Sequence, residues 1–141
     1  MHVPPAERAA RWRTQAQADR DTAERLETAT PHIACFLSQQ ASEKALKALL
    51  TRLQGDAVPT HHAYVLLHAL TELGERPPDA VAHAANALDR FYLPTRYPDA
   101  LDFADVSAVF RAEDACQAVA WADTVLRWCD ERMAAAPPDP A

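Results

Sequence analysis

Glycine is nearly missing from this sequence: two residues in 141. Hairpin turns rely on glycine for positive φ, so an all-β fold is disfavoured. With so few glycines there is no Gly-rich phosphate loop and no glycine-flanked serine. Neither a loop-bound nucleotide cofactor nor a serine-elbow hydrolase is therefore expected. The three cysteines, Cys35, Cys116 and Cys129, are odd in number and far apart, with no Cys-x-x-Cys. They form neither a disulfide framework nor a zinc knuckle, and they read as small apolar helix residues in a reducing cytoplasm. No apolar run approaches the roughly 18 residues of a membrane span, and no apolar stretch precedes a cleavage site near the N-terminus. A surplus of positive charge is missing too. The formal net charge of −6 argues against a general nucleic-acid coat, which needs a basic face to release counterions. It leaves room for RNA contact at a local cluster of arginines.

What the chain does have is helix-forming sequence. Alanine, leucine, glutamate and arginine fill its long segments, and hydrophobic residues make up 49% of it, enough for the core of one domain. A first helix is expected from about Ala6 to Thr28, with Trp12, Ala16, Ala23 and Leu26 on its apolar face. Thr30-Pro31 reads as an N-cap followed by proline at the first helical position. The second helix then runs to Gln54, carries Ile33, Leu37, Ala41, Ala45, Ala48 and Leu49 at three- and four-residue steps, and ends at Gly55. A third starts around Pro59-Thr60-His61-His62, buries Leu66, Leu67, Leu70 and Leu73, and closes at Gly74. A fourth runs from Pro77-Pro78-Asp79 to about Phe91. The stretch from Leu93 to about Phe110 is broken by Pro94 and Pro98. A last helix spans about Arg111 to Met133 and is apolar on two stripes, one led by Ala115, Val119 and Leu126, the other by Trp121, Val125 and Trp128. Such a helix is either central or shared with another chain. The expected fold is all-α, an up-and-down bundle of four or five helices. Residues 1–5 form an N-terminal tail, 6–133 the bundle and 134–141 a disordered tail.

Two features stand out as chemistry. Gln39, Gln40, Glu43, Lys44 and Lys47 lie three and four apart, so several share one face of the second helix. A buried amide or charge without a partner costs about 1–3 kcal/mol. These residues therefore form either a solvated face with a Glu43–Lys47 ion pair, or a site or interface. In the second feature, Arg96-Tyr97-Pro98-Asp99, proline holds Tyr97 out of the helical region. A rigid turn carrying arginine suits phosphate or carboxylate recognition; the alternative is an Arg96–Asp99 staple of the loop. His61 and His62 stand where the third helix begins. Asp79 and His83 are four apart on a helix, but no third ligand accompanies them, so no metal site and no cofactor are expected.

The run Cys35-Phe36-Leu-Ser-Gln39-Gln40-Ala-Ser-Glu43-Lys44-Ala-Leu46-Lys47-Ala-Leu49 resembles the second-helix signature of HEPN domains. Thr60-His61 is similar to the start of their third helix. Leu88-Asp89 and Tyr92-Leu-Pro-Thr-Arg96-Tyr97-Pro98-Asp99-Ala100 resemble their signature turn. The likeness covers about residues 6–133. It implies a helical bundle that forms a homodimer and is encoded beside a minimal nucleotidyltransferase, the two making a toxin–antitoxin or defence pair. Catalytic relatives are metal-independent ribonucleases that carry an arginine and, after four to six intervening residues, a histidine. Arg96 matches that arginine. The positions where histidine would stand are Leu101, Asp102 and Phe103. The resemblance therefore implies a cytoplasmic component that binds nucleotide or RNA at a dimer cleft without full catalytic machinery, through Gln39, Gln40, Glu43, Lys44, Lys47, Arg96 and Asp99. The alternatives are a ribonuclease toxin using Arg96 assisted by Tyr97 and His61, and a non-catalytic scaffold dimer. Tyr92 and Tyr97 are candidate acceptors if the partner transfers a nucleotide.

Overall fold

A computed structural model describes residues 2–92 and 109–139. Among these residues it contains five α-helices and no strand: α1 (Pro5–Arg25), α2 (Pro31–Gln54), α3 (Ala63–Glu72), α4 (Asp79–Asp89) and α5 (Ala112–Ala135). The Arg96, Tyr97 and Asp99 assignments fall outside the described residues.

α2 is the axis of the bundle and touches each of the other four helices. Its ends follow local chemistry. Thr30 is the N-cap residue and Pro31 the first helical position; the Thr30 carbonyl accepts from Ile33 and Ala34, both at 3.1 Å. The Thr30 hydroxyl, however, makes no capping bond and is buried without a partner. At the other end Gly55 takes φ +95° and its N–H closes on the Thr51 carbonyl at 2.9 Å. Only glycine adopts that conformation at no steric cost.

α1 packs along α2 through Ala9, Ala16 and Ala23, set at heptad spacing. These small residues face a second helix rich in buried alanine (Ala34, Ala41, Ala45, Ala48), so the two backbones can lie close. Leu46, Leu49 and Leu50 of α2, Leu66 and Leu70 of α3 and Leu88 of α4 fill the remaining core and are fully buried. Leu73, expected in the same stripe, is 42% exposed. It stands just past α3, where a Schellman turn (Glu75 N–H to the Leu70 carbonyl at 2.9 Å, Gly74 N–H to Thr71 at 3.0 Å) ends the helix.

Both apolar stripes of α5 are used inside the bundle. Ala115, Ala118, Val119, Ala122, Val125, Leu126, Trp128 and Cys129 are buried, and α5 lies against α1, α2 and α4. Arginines lace its outer edge to α1: Arg13 reaches Asp130 at 2.6 and 2.8 Å, and Arg20 reaches Asp123 at 2.7 and 3.0 Å. Past α5 the chain folds back. Asp139 accepts the Ala6 N–H at 3.2 Å and Arg52 at 3.4 Å, and Arg52 also donates to the Pro137 carbonyl. No helix among the described residues is long and apolar enough to cross a membrane.

Candidate functional site

The polar run of α2 divides between two sides of the helix. Gln39, Glu43 and Lys47 are one turn apart and point inward, at 2, 5 and 7% exposure. Helical pitch places them in one column, and packing of the flanking helices shuts it from solvent. The column is satisfied internally. Glu43 Oε2 accepts from Lys47 Nζ at 3.1 Å, and Glu43 Oε1 accepts from the Gln39 amide at 3.4 Å. Gln39 Oε1 in turn accepts from the Gln40 amide at 2.7 Å. The Lys47 ammonium also sits 5.5 Å from the centre of the Trp12 ring of α1, an attraction strengthened where water is scarce. The expected Glu43–Lys47 ion pair is therefore made, but not on a solvated face. Lys44, half-buried, turns toward α1 and pairs with Asp19 at 2.6 Å, where the Gln15 amide also donates at 2.9 Å.

One side chain links this buried column to the surface. His61, in the connection between α2 and α3, places Nδ1 3.0 Å from Glu43 Oε1, while its side chain remains 55% exposed. An ionised carboxylate only accepts, so opposite an ionised Glu43 the ring's proton on this side sits on Nδ1. The ring lies parallel to that of Tyr92 (centroids 4.7 Å apart, planes inclined by 16°). Tyr92 also meets Phe36 of α2 at 6.3 Å. The orientation of His61 is thus held from two directions, by a hydrogen bond at the edge and by a ring on the face.

Beside it lies Asp89, the last residue of α4. Its Oδ2 accepts the Ala63 N–H at 2.9 Å and stands 3.8 Å from His62 Nδ1. Burial pushes the Asp89 carboxyl above its ordinary value, against the opposing pull of the Ala63 amide, His62 and the Gln39 side chain. The Asp89 cap carries no local sequence signal, because its partner is 26 residues away. Burial likewise pushes the Cys35 thiol up to about 12, so this cysteine is a core residue and not a nucleophile. His83 meets Trp121 edge-on at 5.9 Å, and no cluster that would hold a metal ion occurs among the described residues.

The structure therefore brings Gln39, Gln40, Glu43, Lys47 and His61 together with Asp89 and Tyr92, and directs Lys44 to a structural pair on α1. The arrangement can orient one exposed imidazole at the mouth of a buried polar column and hold it against the half-buried Tyr92 ring.

Comparison with known proteins gives the same family at several levels. The HEPN domain model matches residues 9–132. The fold is similar to the crystal structure of TT1696 from Thermus thermophilus, with 32% identity, a TM-score of 0.79, and coverage of 89% of this chain and 98% of that one. It is also similar to the crystal structure of ST0689, an archaeal HEPN homologue, with 32% identity, a TM-score of 0.73, and coverage of 89% and 97%. No curated protein matches the chain.

Proposed function

The chain belongs to the HEPN domain family, and from that premise we propose that it works as a dimeric toxin–antitoxin or defence component. In this reading it pairs with a minimal nucleotidyltransferase and binds RNA or nucleotide at a cleft between two copies. The observation that carries the binding reading is the exposed His61 ring, stacked on half-buried Tyr92 and anchored on the buried Glu43 column. A helix that only had to hold a bundle together would place aliphatic residues at 39, 43 and 47. Three buried polar side chains that are linked by hydrogen bonds, and that surface at one imidazole, suit a site.

The chemistry of the surface fits nucleic acid. Aromatic faces accept bases with little sequence preference. Arg96 stands four residues after Tyr92 in the sequence, and a guanidinium binds phosphate through two parallel hydrogen bonds. With a net charge of −6 the contact is local, so few phosphates are neutralised and binding is expected to be modest, with a shallow dependence on salt. In this reading Arg96 and His61 touch the ligand. Gln39, Glu43 and Lys47 support His61 from below, and Asp99 belongs to the binding set with Arg96.

The test is direct. Short single-stranded RNA and ATP are titrated against the purified protein and against Arg96→Ala, and co-purification is attempted with the product of the neighbouring gene. Binding that falls at least tenfold in Arg96→Ala, together with a stable complex, supports the proposal. If the wild type binds neither probe and does not associate with the partner at micromolar concentration, only the scaffold reading is left.

A further inference from the structure

α1 has little with which to close its own front end. Pro4 is the N-cap residue and makes no side-chain cap. Neither Pro4 nor Pro5 carries an N–H, so the Ala6 amide is the first donor the helix offers. Its acceptor is Asp139, 133 residues away. We infer that residues 137–139 are a strap lying in a peptide-docking site, at the corner where α1 begins and α2 ends. The partner this site fits is a proline-stiffened segment of another protein that carries an aspartate.

Two elements read the carboxylate. Asp139 Oδ2 accepts from Ala6 of α1 at 3.2 Å, and Oδ1 accepts from Nη1 of Arg52, in the last turn of α2, at 3.4 Å. Asp139 thus does what an N-cap side chain would do, and it meets the positive end of the helix dipole. Arg52 also donates through Nη2 to the Pro137 carbonyl. One guanidinium, with its side chain 15% exposed, therefore recognises a backbone oxygen and a carboxylate two residues further on. The corner stands without the strap. Arg8 of α1 pairs with Asp56 at 3.1 Å and donates to the Gly55 carbonyl, which joins the two helices through groups the strap does not touch.

The strap is suited both to dock and to leave. Ala136 is extended just past α5 (φ −69°, ψ 147°), and proline stands at 137, 138 and 140 in the sequence. Proline fixes φ and keeps the residue before it extended, so the segment loses little conformational entropy on docking. A segment of the same chemistry from another protein has the same advantage. The hold is light. Pro137 and Pro138 are exposed, and a cavity of about 290 Å³ remains between the strap and Pro5, Leu53 and Gln54. What favours the strap is its tether to α5, which gives it an effective concentration on the order of millimolar. A free segment at lower concentration does not match that. The strap is thus an autoinhibitory contact, and loss of its carboxylate opens the corner to a partner.

The experiment titrates a peptide of sequence Ala-Pro-Pro-Asp-Pro-Ala, blocked at both ends, into the full-length protein and follows the backbone amides by ¹⁵N NMR. Asp139→Ala keeps the whole chain and lies outside the core. It is expected to bind the peptide at least about tenfold more tightly than the wild type does, with the Ala6 amide returning to its wild-type position. The same peptide with alanine in place of aspartate is expected not to bind. Adding Arg52→Ala to Asp139→Ala is expected to weaken binding about tenfold or more. In the wild type, excess peptide is expected to move the Asp139 amide to its free-chain position, a readout that needs no variant. If Asp139→Ala does not bind the peptide, or excess peptide leaves the wild-type Asp139 amide unmoved, the docking site is overturned. Equal affinity in the wild type and Asp139→Ala removes the strap from its inhibitory role. Binding that survives the loss of Arg52, or of the peptide's aspartate, overturns carboxylate recognition at this corner.

Discussion

Asp89 closes the front end of α3 from a different helix: its Oδ2 accepts the Ala63 backbone N–H at 2.9 Å. α3 begins there and has no side-chain cap of its own, so the cap ties the end of α4 to the start of α3. The same residue stands beside His62 and immediately precedes the segment that leads to Tyr92.

That cap has a pH signature. Burial raises the Asp89 pKa in the folded chain above its unfolded value, so the folded state binds the proton more readily than the unfolded one. Stability then increases as pH falls through the folded pKa toward the unfolded one, and the ionised form costs stability at neutral pH. The Asp89→Asn variant keeps an acceptor for Ala63 and lacks the titration. Urea midpoints across the weakly acid range are expected to improve on acidification by more in the wild type than in the variant. An equal or opposite slope would mean that the carboxylate is not held above its ordinary range.

The Glu43–Lys47 pair makes a second prediction. Removing one member of a buried ion pair leaves the other uncompensated, at about 3–5 kcal/mol. Glu43→Leu is expected to lose about that much, since Lys47 stays buried beside the Trp12 ring without its carboxylate partner. Adding Lys47→Met to that variant is expected to restore most of the loss. A double-mutant cycle by chemical denaturation measures the coupling; a coupling near zero would show that the pair adds nothing to the fold.

The sequence made α2 legible almost to the residue, because Pro31 and Gly55 are local punctuation and the structure uses both, although the Thr30 side chain does not cap. It was less clear for α3, expected from around Pro59 and found from Ala63, since the group that starts the helix is Asp89. α1 was expected to reach Thr28 and stops at Arg25, where the Leu26 N–H bonds back to Thr22 and Ala23. The polar run of α2 was visible as an anomaly in an alanine-rich helix. Which of its members are buried depends on where α1 and α3 pack, and no single helix encodes that. The Glu43–His61 bond joins residues 18 apart across a helix end and a loop, so residue type alone offered only two compatible partners. The second apolar stripe of α5 raised the question of a partner chain; contacts with α1, α2 and α4 answer it within the bundle.

At Gly55 the prediction separates backbone strain from crowding. A Cβ added there would meet nothing within 4 Å, yet φ is +95°. Gly55→Ala is therefore expected to destabilise by about 1 kcal/mol through the dihedral alone, and Gly55→Asn by less, since asparagine tolerates left-handed conformations better. Thermal unfolding of the two variants checks the order. Equal losses in both would point to a packing effect that the open space around Gly55 does not provide.

The last prediction concerns Arg20, which clamps α1 to α5. Its Nε and Nη2 meet the two Asp123 oxygens at 2.7 and 3.0 Å, and Nη2 also reaches Glu24 at 2.6 Å. The side chain is mostly buried, whereas Asp123 and Glu24 are more open to solvent. Screening therefore trims the usual value of such charge-assisted bonds to about 1–2 kcal/mol. Arg20→Ala is expected to lose that amount. Arg20→Lys is expected to recover less than half of it, because an ammonium cannot reproduce two parallel bonds to one carboxylate. Part of the loss in each variant should disappear in high salt, where the wild-type pair is itself weakened. Denaturation midpoints of the three proteins at low and high ionic strength decide it. A lysine variant as stable as the wild type would show that charge alone, and not the fork geometry, joins the two helices.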